Sequence, residues 1–276
     1  MYKSTQHPDE ITVVSAYFNL GTFLKKPYGV RGLKQYKDWM QRLAQVKNSM
    51  VIYLDDKEIM IYLKSIRSAA LGSLTKFVNL NRSDLWSFGM KENISKIYSI
   101  PGYPKYYPST VIPEYTCTMH AKFEVMSHAV RSNFFRTKYF AWMDVGYFRN
   151  RSLNDKAFSL GRPPGFDPAR IAYTEMYPFN PNLTPKEITL KFITWVSAGF
   201  FVGRDDVMLR WVNQYKQYAQ IMLKDGLMNT DETLIYSMFN DRRNNNSVQI
   251  QTYKRRSKYL WFTLGNLCIK GVKQPL

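Results

Sequence analysis

The chain has 276 residues, 45% of them hydrophobic, and 39 Lys and Arg against 21 Asp and Glu give it a net charge of +18. That apolar fraction excludes a disordered chain, and no apolar run reaches the roughly 20 residues that a membrane-spanning helix needs. Two cysteines exclude a disulfide scaffold, and the positive charge points to polyanions, phosphorylated ligands or anionic membrane surfaces without choosing among them.

Residues 1–10 read as a polar, flexible segment with no signal-peptide core. Residues 11–18 are β-branched and aromatic and run into Asn19 and Gly21, the pattern of a buried strand entering a turn. A basic loop follows through Lys25, Lys26 and Arg31. Over 33–47 the apolar positions Leu33, Tyr36, Met40, Leu43 and Val46 recur at helical spacing, ahead of a second strand at 50–54. This β-α-β unit sets Asp55 and Asp56 beside the end of the first strand if the two are parallel. A third strand is predicted at 75–80.

Four prolines and Tyr103, Tyr106 and Tyr107 make 101–113 a stiff surface loop, either a lid or a packing arm. Helical spacing returns with Met119, Phe123, Met126 and Val130, which puts Lys122 beside the buried stripe and makes His120 and His128 ordinary helix residues. In residues 138–149 an apolar run then ends in one carboxylate, Asp144, followed by Gly146. An ionised carboxylate is expensive to bury, so Asp144 belongs at the carboxyl end of a strand, where ligand crevices open in α/β sheets; the alternative is an Asp that merely starts a turn.

Residues 161–168 and 177–185 are predicted loops, and 192–203 an apolar strand with small residues at its centre. A helix at 205–224 has acidic residues at its start and Gly226 as terminator. A second helix begins near Thr230 with Asp231 and Glu232 in its first turn, where the helix dipole alone would favour them. Strands alternating with helices predict an α/β fold: a single domain with a mainly parallel central sheet and helices on both faces. Residues 248–276 read as an irregular C-terminal extension packing on the domain formed by 11–247.

Four stretches in order resemble the HtrL/YibB-type family, whose members look like glycosyltransferases of the nucleotide-diphospho-sugar transferase (GT-A-like) fold. They are Thr-Val-Val-Ser-Ala-Tyr-Phe at 12–18, Trp-Met-Asp-Val-Gly-Tyr at 142–147, Ser-Ala-Gly-Phe-Phe-Val-Gly at 197–203 and Thr-Asp-Glu-Thr-Leu at 230–234. The resemblance implies that Ser15, Ala16, Tyr17 and Phe18 line a nucleotide pocket and that Asp55 or Asp56 contacts base or ribose. It implies that Lys122, Asp144 and Gly146 lie by the diphosphate, and that Ser197, Ala198 and Gly199 shape the floor under the sugar. Asp231 or Glu232 would be the general base toward an acceptor hydroxyl on a glycan, lipid or protein.

A leaving nucleotide diphosphate must be stabilised by a divalent cation or by basic side chains. Mn²⁺ or Mg²⁺ on Asp144 is one expectation; Lys122, Arg149 and Arg31 are the other. Metal-dependent members of the wider fold carry Asp-X-Asp, whereas here Gly146 takes the second place and no histidine follows His128. Two further readings compete: a metal-dependent nuclease or nucleic-acid-binding protein using Asp55, Asp144 and Asp231, and an inactive sugar-binding relative. Peripheral attachment to an anionic membrane or glycan fits the charge. Acceptor patterns for N-glycosylation at Asn81, Asn93, Asn150, Asn182 and Asn245 permit a secretory-pathway lumen as well as the cytoplasm.

Overall fold

The computed structural model describes residues 10–254 and 260–271, so most of the predicted N-terminal segment lies outside the described residues. In chain order the elements are β1 (Ile11–Tyr17), β2 (Phe23–Leu24), β3 (Val30–Arg31), α1 (Leu33–Met40), β4 (Met50–Leu54), α2 (Lys57–Leu71) and β5 (Thr75–Asn79). Then come α3 (Trp86–Gly89), α4 (Lys91–Tyr98), α5 (Pro113–Ser132), β6 (Tyr139–Met143), β7 (Arg170–Glu175) and α6 (Pro185–Leu190). The rest are β8 (Val196–Arg204), α7 (Asp205–Lys224), α8 (Asp231–Asn240), β9 (Gln249–Tyr253) and α9 (Thr263–Leu267).

Seven strands form one sheet in the order β5-β4-β1-β6-β8-β7-β9, and only β8 runs against its neighbours. Side chains alternate across it: Val14 and Trp142 enter the core shared with α5, α7 and α8, while Val13 and Ala141 enter the core shared with α1, α2 and α9. The predicted mainly parallel α/β sheet, covered on both faces, is what the chain builds. From β1 the chain winds outward through β4 to β5, then crosses to the other side of β1 to make β6. The strand order therefore reverses between β1 and β6, and a crevice opens beyond the carboxyl ends of strands at such a point. Asp144 is the first residue after β6.

Several elements depart from the sequence reading. The helix expected over 33–47 ends at Met40 and tightens to a 3₁₀ turn at Gln41–Gln45, because Val46 must leave extended to pair with Phe158. The strand expected over 192–203 starts only at Val196: Phe192 turns with a φ of 53° and packs on Tyr106. The 101–113 loop is a packing arm, with Tyr103 bonded to the Met228 carbonyl and Tyr106 to the Leu190 carbonyl. The segment read as an irregular extension supplies β9, which pairs parallel with β7.

Arg67, on α2, is buried and gathers the joint between the first helix layer and the sheet. It donates to the carbonyls of Leu43 (2.6 Å), Val46 (2.9 Å) and Asn48 (3.2 Å) and to Thr75 Oγ1 (2.8 Å). Burial pulls its guanidinium down to about 10, still charged at neutral pH. Replacing Arg67 by Ala orphans those acceptors, and equilibrium urea denaturation should show a loss of about 3–5 kcal/mol; a change under 1 kcal/mol would mean that water satisfies them.

Candidate functional site

Asp144 is held by its surroundings on three sides. Its backbone N–H donates to the Gly199 carbonyl at 2.9 Å, which fastens the end of β6 to β8, and its carbonyl accepts from Tyr147 N–H at 2.8 Å to close the turn. Its Oδ1 accepts from the Trp142 indole N–H at 2.7 Å. The side chain is 42% exposed, whereas Lys122 and Asp231 are each 3% exposed. Of these three charged groups, Asp144 alone has a substantially exposed side chain.

Beneath it lies a buried ammonium. Lys122 projects from the middle of α5, with Nζ 2.6 Å from Asp231 Oδ2, 3.0 Å from the Ala198 carbonyl and 3.7 Å from Asp144 Oδ1, and the Trp142 ring 5.5 Å away. Burial alone would discharge this amine, but Asp144, Asp231 and Glu232 outweigh that and hold it well above its ordinary pKa. Glu232 is buried too and accepts from Ala198 N–H at 3.0 Å. Desolvation, reinforced by the negative charge of Asp231, pushes its carboxyl up to about 8.

The first turn of α8 is aimed from behind by His120. Its Nε2 meets the Asn229 carbonyl at 3.0 Å, so that nitrogen carries the proton and Nδ1 accepts from the Tyr215 hydroxyl at 2.5 Å. Burial pulls His120 down to about 4, and it stays neutral at physiological pH. The sequence reading of His120 as an ordinary helix residue misses this support, which only the meeting of α5, α7 and the 229–231 segment creates.

A second group of cations shares the neighbourhood of Asp144. Arg31 and Arg149 both face the Trp39 indole, at 5.1 Å and 5.4 Å; Arg149 also covers Phe262 and donates to the Gly146 carbonyl. Lys25, on the β2–β3 hairpin, donates to the Tyr115 hydroxyl at 3.1 Å. Burial raises the Tyr36 hydroxyl to about 12, with charge effects from Tyr115, Lys25, Asp144 and Arg31, so all of these share one neighbourhood. Burial likewise lowers Arg149, which Asp144 opposes and Arg31 deepens. Among the described residues, no carboxylate lies within ion-pair distance of Lys25, Arg31 or Arg149. Three side-chain cations that lack a carboxylate partner among the described residues, beside one half-exposed acid, give an arrangement chemically suited to an anion.

Other predicted residues are used differently. Ser15 is fully buried, and its hydroxyl donates to the Met143 carbonyl at 2.7 Å, so it ties β1 to β6 and does not line the cleft. Tyr17 and Phe18 are buried, with Tyr17 against Tyr36 and Phe18 against Phe88; Ala16 packs at the edge of the core. Asp55 and Asp56 do stand beside the end of β1 but serve the chain itself. Asp55 accepts from Asn19 N–H and pairs with Arg82, while Asp56 accepts from the Asn19 amide and caps α2 through Ile59 N–H.

Ser197 and Ala198 are buried and act through their backbone or on each other's neighbours: Ala198 grips Glu232 and Lys122, and Ser197 Oγ accepts from Gly199 N–H. A Cβ on Gly199 would come within 3.0 Å of the Trp261 indole and 3.3 Å of Asp144 Oδ2, so the small residue does permit a close approach there. A Cβ on Gly146 would lie 2.8 Å from the Trp39 ring. Trp39, Tyr36, Tyr115 and Trp261 were invisible as site residues because each lies far along the chain from Asp144. The exception in signal was the basic loop holding Lys25 and Arg31.

These donors fit Mg²⁺ or Mn²⁺ poorly. Such ions want several hard oxygens, but Asp144 shares its neighbour Lys122 with Asp231, which puts an ammonium beside both carboxylates. Among the described residues no three His, Cys, Asp or Glu side chains gather as a metal set.

Comparison with known families now adds one finding: residues 9–251 match the model of a bacterial protein family of unknown function, HtrL_YibB. The chain belongs to that family. The matched region runs from the start of β1 to within β9, so every element that shapes the Asp144 crevice except the Trp261–Phe262 segment falls inside the HtrL_YibB region. No curated protein matches the chain.

Removing Lys122 would strand Asp231 in a dry interior. Lys122→Ala should lower stability by about 3–5 kcal/mol, read by urea denaturation at pH 7; a loss below 1 kcal/mol would show that Asp231 reaches water. Glu232 makes a separate claim on pH. Its folded form keeps a proton that the unfolded chain releases, so its contribution is fully present below the ordinary value of 4.5 and fades as pH rises towards about 8. Glu232→Gln should therefore flatten the fall in Tm between pH 5 and pH 8; an unchanged slope would place a proton-free Glu232 in the native protein.

Proposed function

We propose that the protein transfers a glycosyl group from a nucleotide-diphospho-sugar to a hydroxyl acceptor. The observation that carries this reading is the group of Lys25, Arg31 and Arg149, without carboxylate partners, over the half-exposed Asp144 at the strand-order reversal. A diphosphate needs cations most as the bond to the sugar breaks, since the electron pair goes to a phosphate oxygen. The motif resemblance to glycosyltransferases supports the same reading, as do a mainly parallel sheet and the reversal of strand order between β1 and β6, where open α/β sheets bind ligands.

In this scheme the acceptor oxygen bonds to the anomeric carbon as the phosphate oxygen departs. Arg31, Arg149 and Lys25 hold the diphosphate, while Asp144 faces the sugar and takes the proton of the acceptor hydroxyl. Asp231 and Glu232, expected as bases, are covered and engaged by Lys122 and Ala198, which leaves them the task of fixing Lys122 and β8.

A panel of UDP- and GDP-sugars, followed by thermal shift and by nucleotide release with and without glycan acceptors, should yield one stabilising donor. With that donor, Asp144→Asn should cut turnover by about 10²–10⁴-fold while leaving the melting transition intact. Full turnover in Asp144→Asn would remove Asp144 from the chemistry.

A further inference from the structure

We infer that this cleft grips its anionic ligand with fixed side-chain cations and takes no divalent ion, Lys122 standing where an ion bridging Asp144 and Asp231 would have to sit. Three observations converge. First, Nζ of Lys122 is 2.6 Å from Asp231, 3.7 Å from Asp144 and 3.0 Å from the Ala198 carbonyl, so a buried positive charge already stands beside the carboxylates that a bridging metal would use. Oδ1 of Asp144 is further engaged by the Trp142 indole at 2.7 Å.

Second, the position two residues after Asp144 has no room for a second carboxylate. A Cβ at Gly146 would lie 2.8 Å from Trp39, and that indole is itself flanked by Arg31 and Arg149. An aromatic ring in contact with two guanidinium groups stands where a metal-binding arrangement would place an acid. Third, the flanking cations are held without counter-ions: Arg149 by Phe262 and the Gly146 carbonyl, Arg31 by Tyr28 and Gln35, Lys25 by Tyr115. Planar guanidinium groups suit two-point contact with phosphate oxygens, and cations fixed in advance need little reorganisation when charge develops. The identity of the ligand as a diphosphate rests on the transfer reading; the exclusion of the metal rests on the side chains alone.

The decisive experiment titrates Mn²⁺ into the ligand-free protein and follows free Mn²⁺ by electron paramagnetic resonance. Wild type should show no site with a Kd below about 1 mM. Lys122→Met leaves two carboxylates facing vacated space and should gain a Mn²⁺ site that a further Asp144→Asn change removes; should Lys122→Met not fold, the wild-type titration still decides. Stoichiometric Mn²⁺ uptake by wild type, lost in Asp144→Asn, would overturn the inference. In parallel, UDP and GDP binding should change less than about twofold on adding EDTA and fall at least about tenfold in the Arg31→Ala/Arg149→Ala double variant. Binding of either nucleotide only when Mn²⁺ is present would also overturn it. Because the manganese titration uses no nucleotide, it distinguishes a failure here from a failure of the transfer reading, which the donor panel tests.

Discussion

A single ammonium in a dry interior sets the terms for this end of the molecule. Lys122 is charged, buried and contributed by the middle of a 20-residue helix, so it cannot withdraw to water without dragging α5 from the sheet. Its charge draws Asp231 to within 2.6 Å, turns the Ala198 carbonyl towards it, and has Asp144 at 3.7 Å at the end of β6. Three elements that follow different strands and helices are thereby locked at one point: α5, the β6–β8 junction and the start of α8.

The same constraint explains why the two acids of α8 differ. Asp231 has the ammonium at 2.6 Å, whereas Glu232 has only one backbone donor and the repulsion of its neighbour, and burial favours its neutral form. Both acids sit where the helix dipole favours negative charge, but the dipole alone would not separate them. His120, kept neutral by burial, steadies the approach to this turn without adding a third charge. Charge is thus balanced in the interior, and the imbalance is displaced outward, to the arginines and lysine that ring Asp144.

That outward imbalance is what suits this corner of the fold to the anionic ligand proposed for it. Arg31 and Arg149 both lie against Trp39, where the aromatic ring stabilises them but cannot neutralise them. Like charges held close together by the fold are poised for an anion that supplies the missing counter-charge. The glycine after Asp144 is the local condition for this arrangement, since any side chain at Gly146 would displace the ring that both guanidinium groups share.

Sequence alone determined the alternation of strands and helices: β1 and β4 are legible as apolar runs, α5 and α7 from helical spacing, and α8 from its start near Thr230 with acidic residues in the first turn. It also singled out Asp144 and Lys122, a charge at the end of an apolar run and a charge beside an apolar stripe, as residues whose burial needs an explanation. β7 and β9 were not legible, since Arg-Ile-Ala-Tyr-Thr-Glu and Gln-Ile-Gln-Thr-Tyr are short and rich in polar residues and become strands only by pairing, β7 with β8 and β9 with β7. Nor could spacing tell that β8 runs backwards, that Ser15, Asp55 and Asp56 are consumed by internal bonds, or that Trp39 and Arg31 arrive beside Arg149. Those facts depend on which distant groups share space, and local periodicity holds no information about contacts made a hundred residues apart; only the closed tertiary structure decides them.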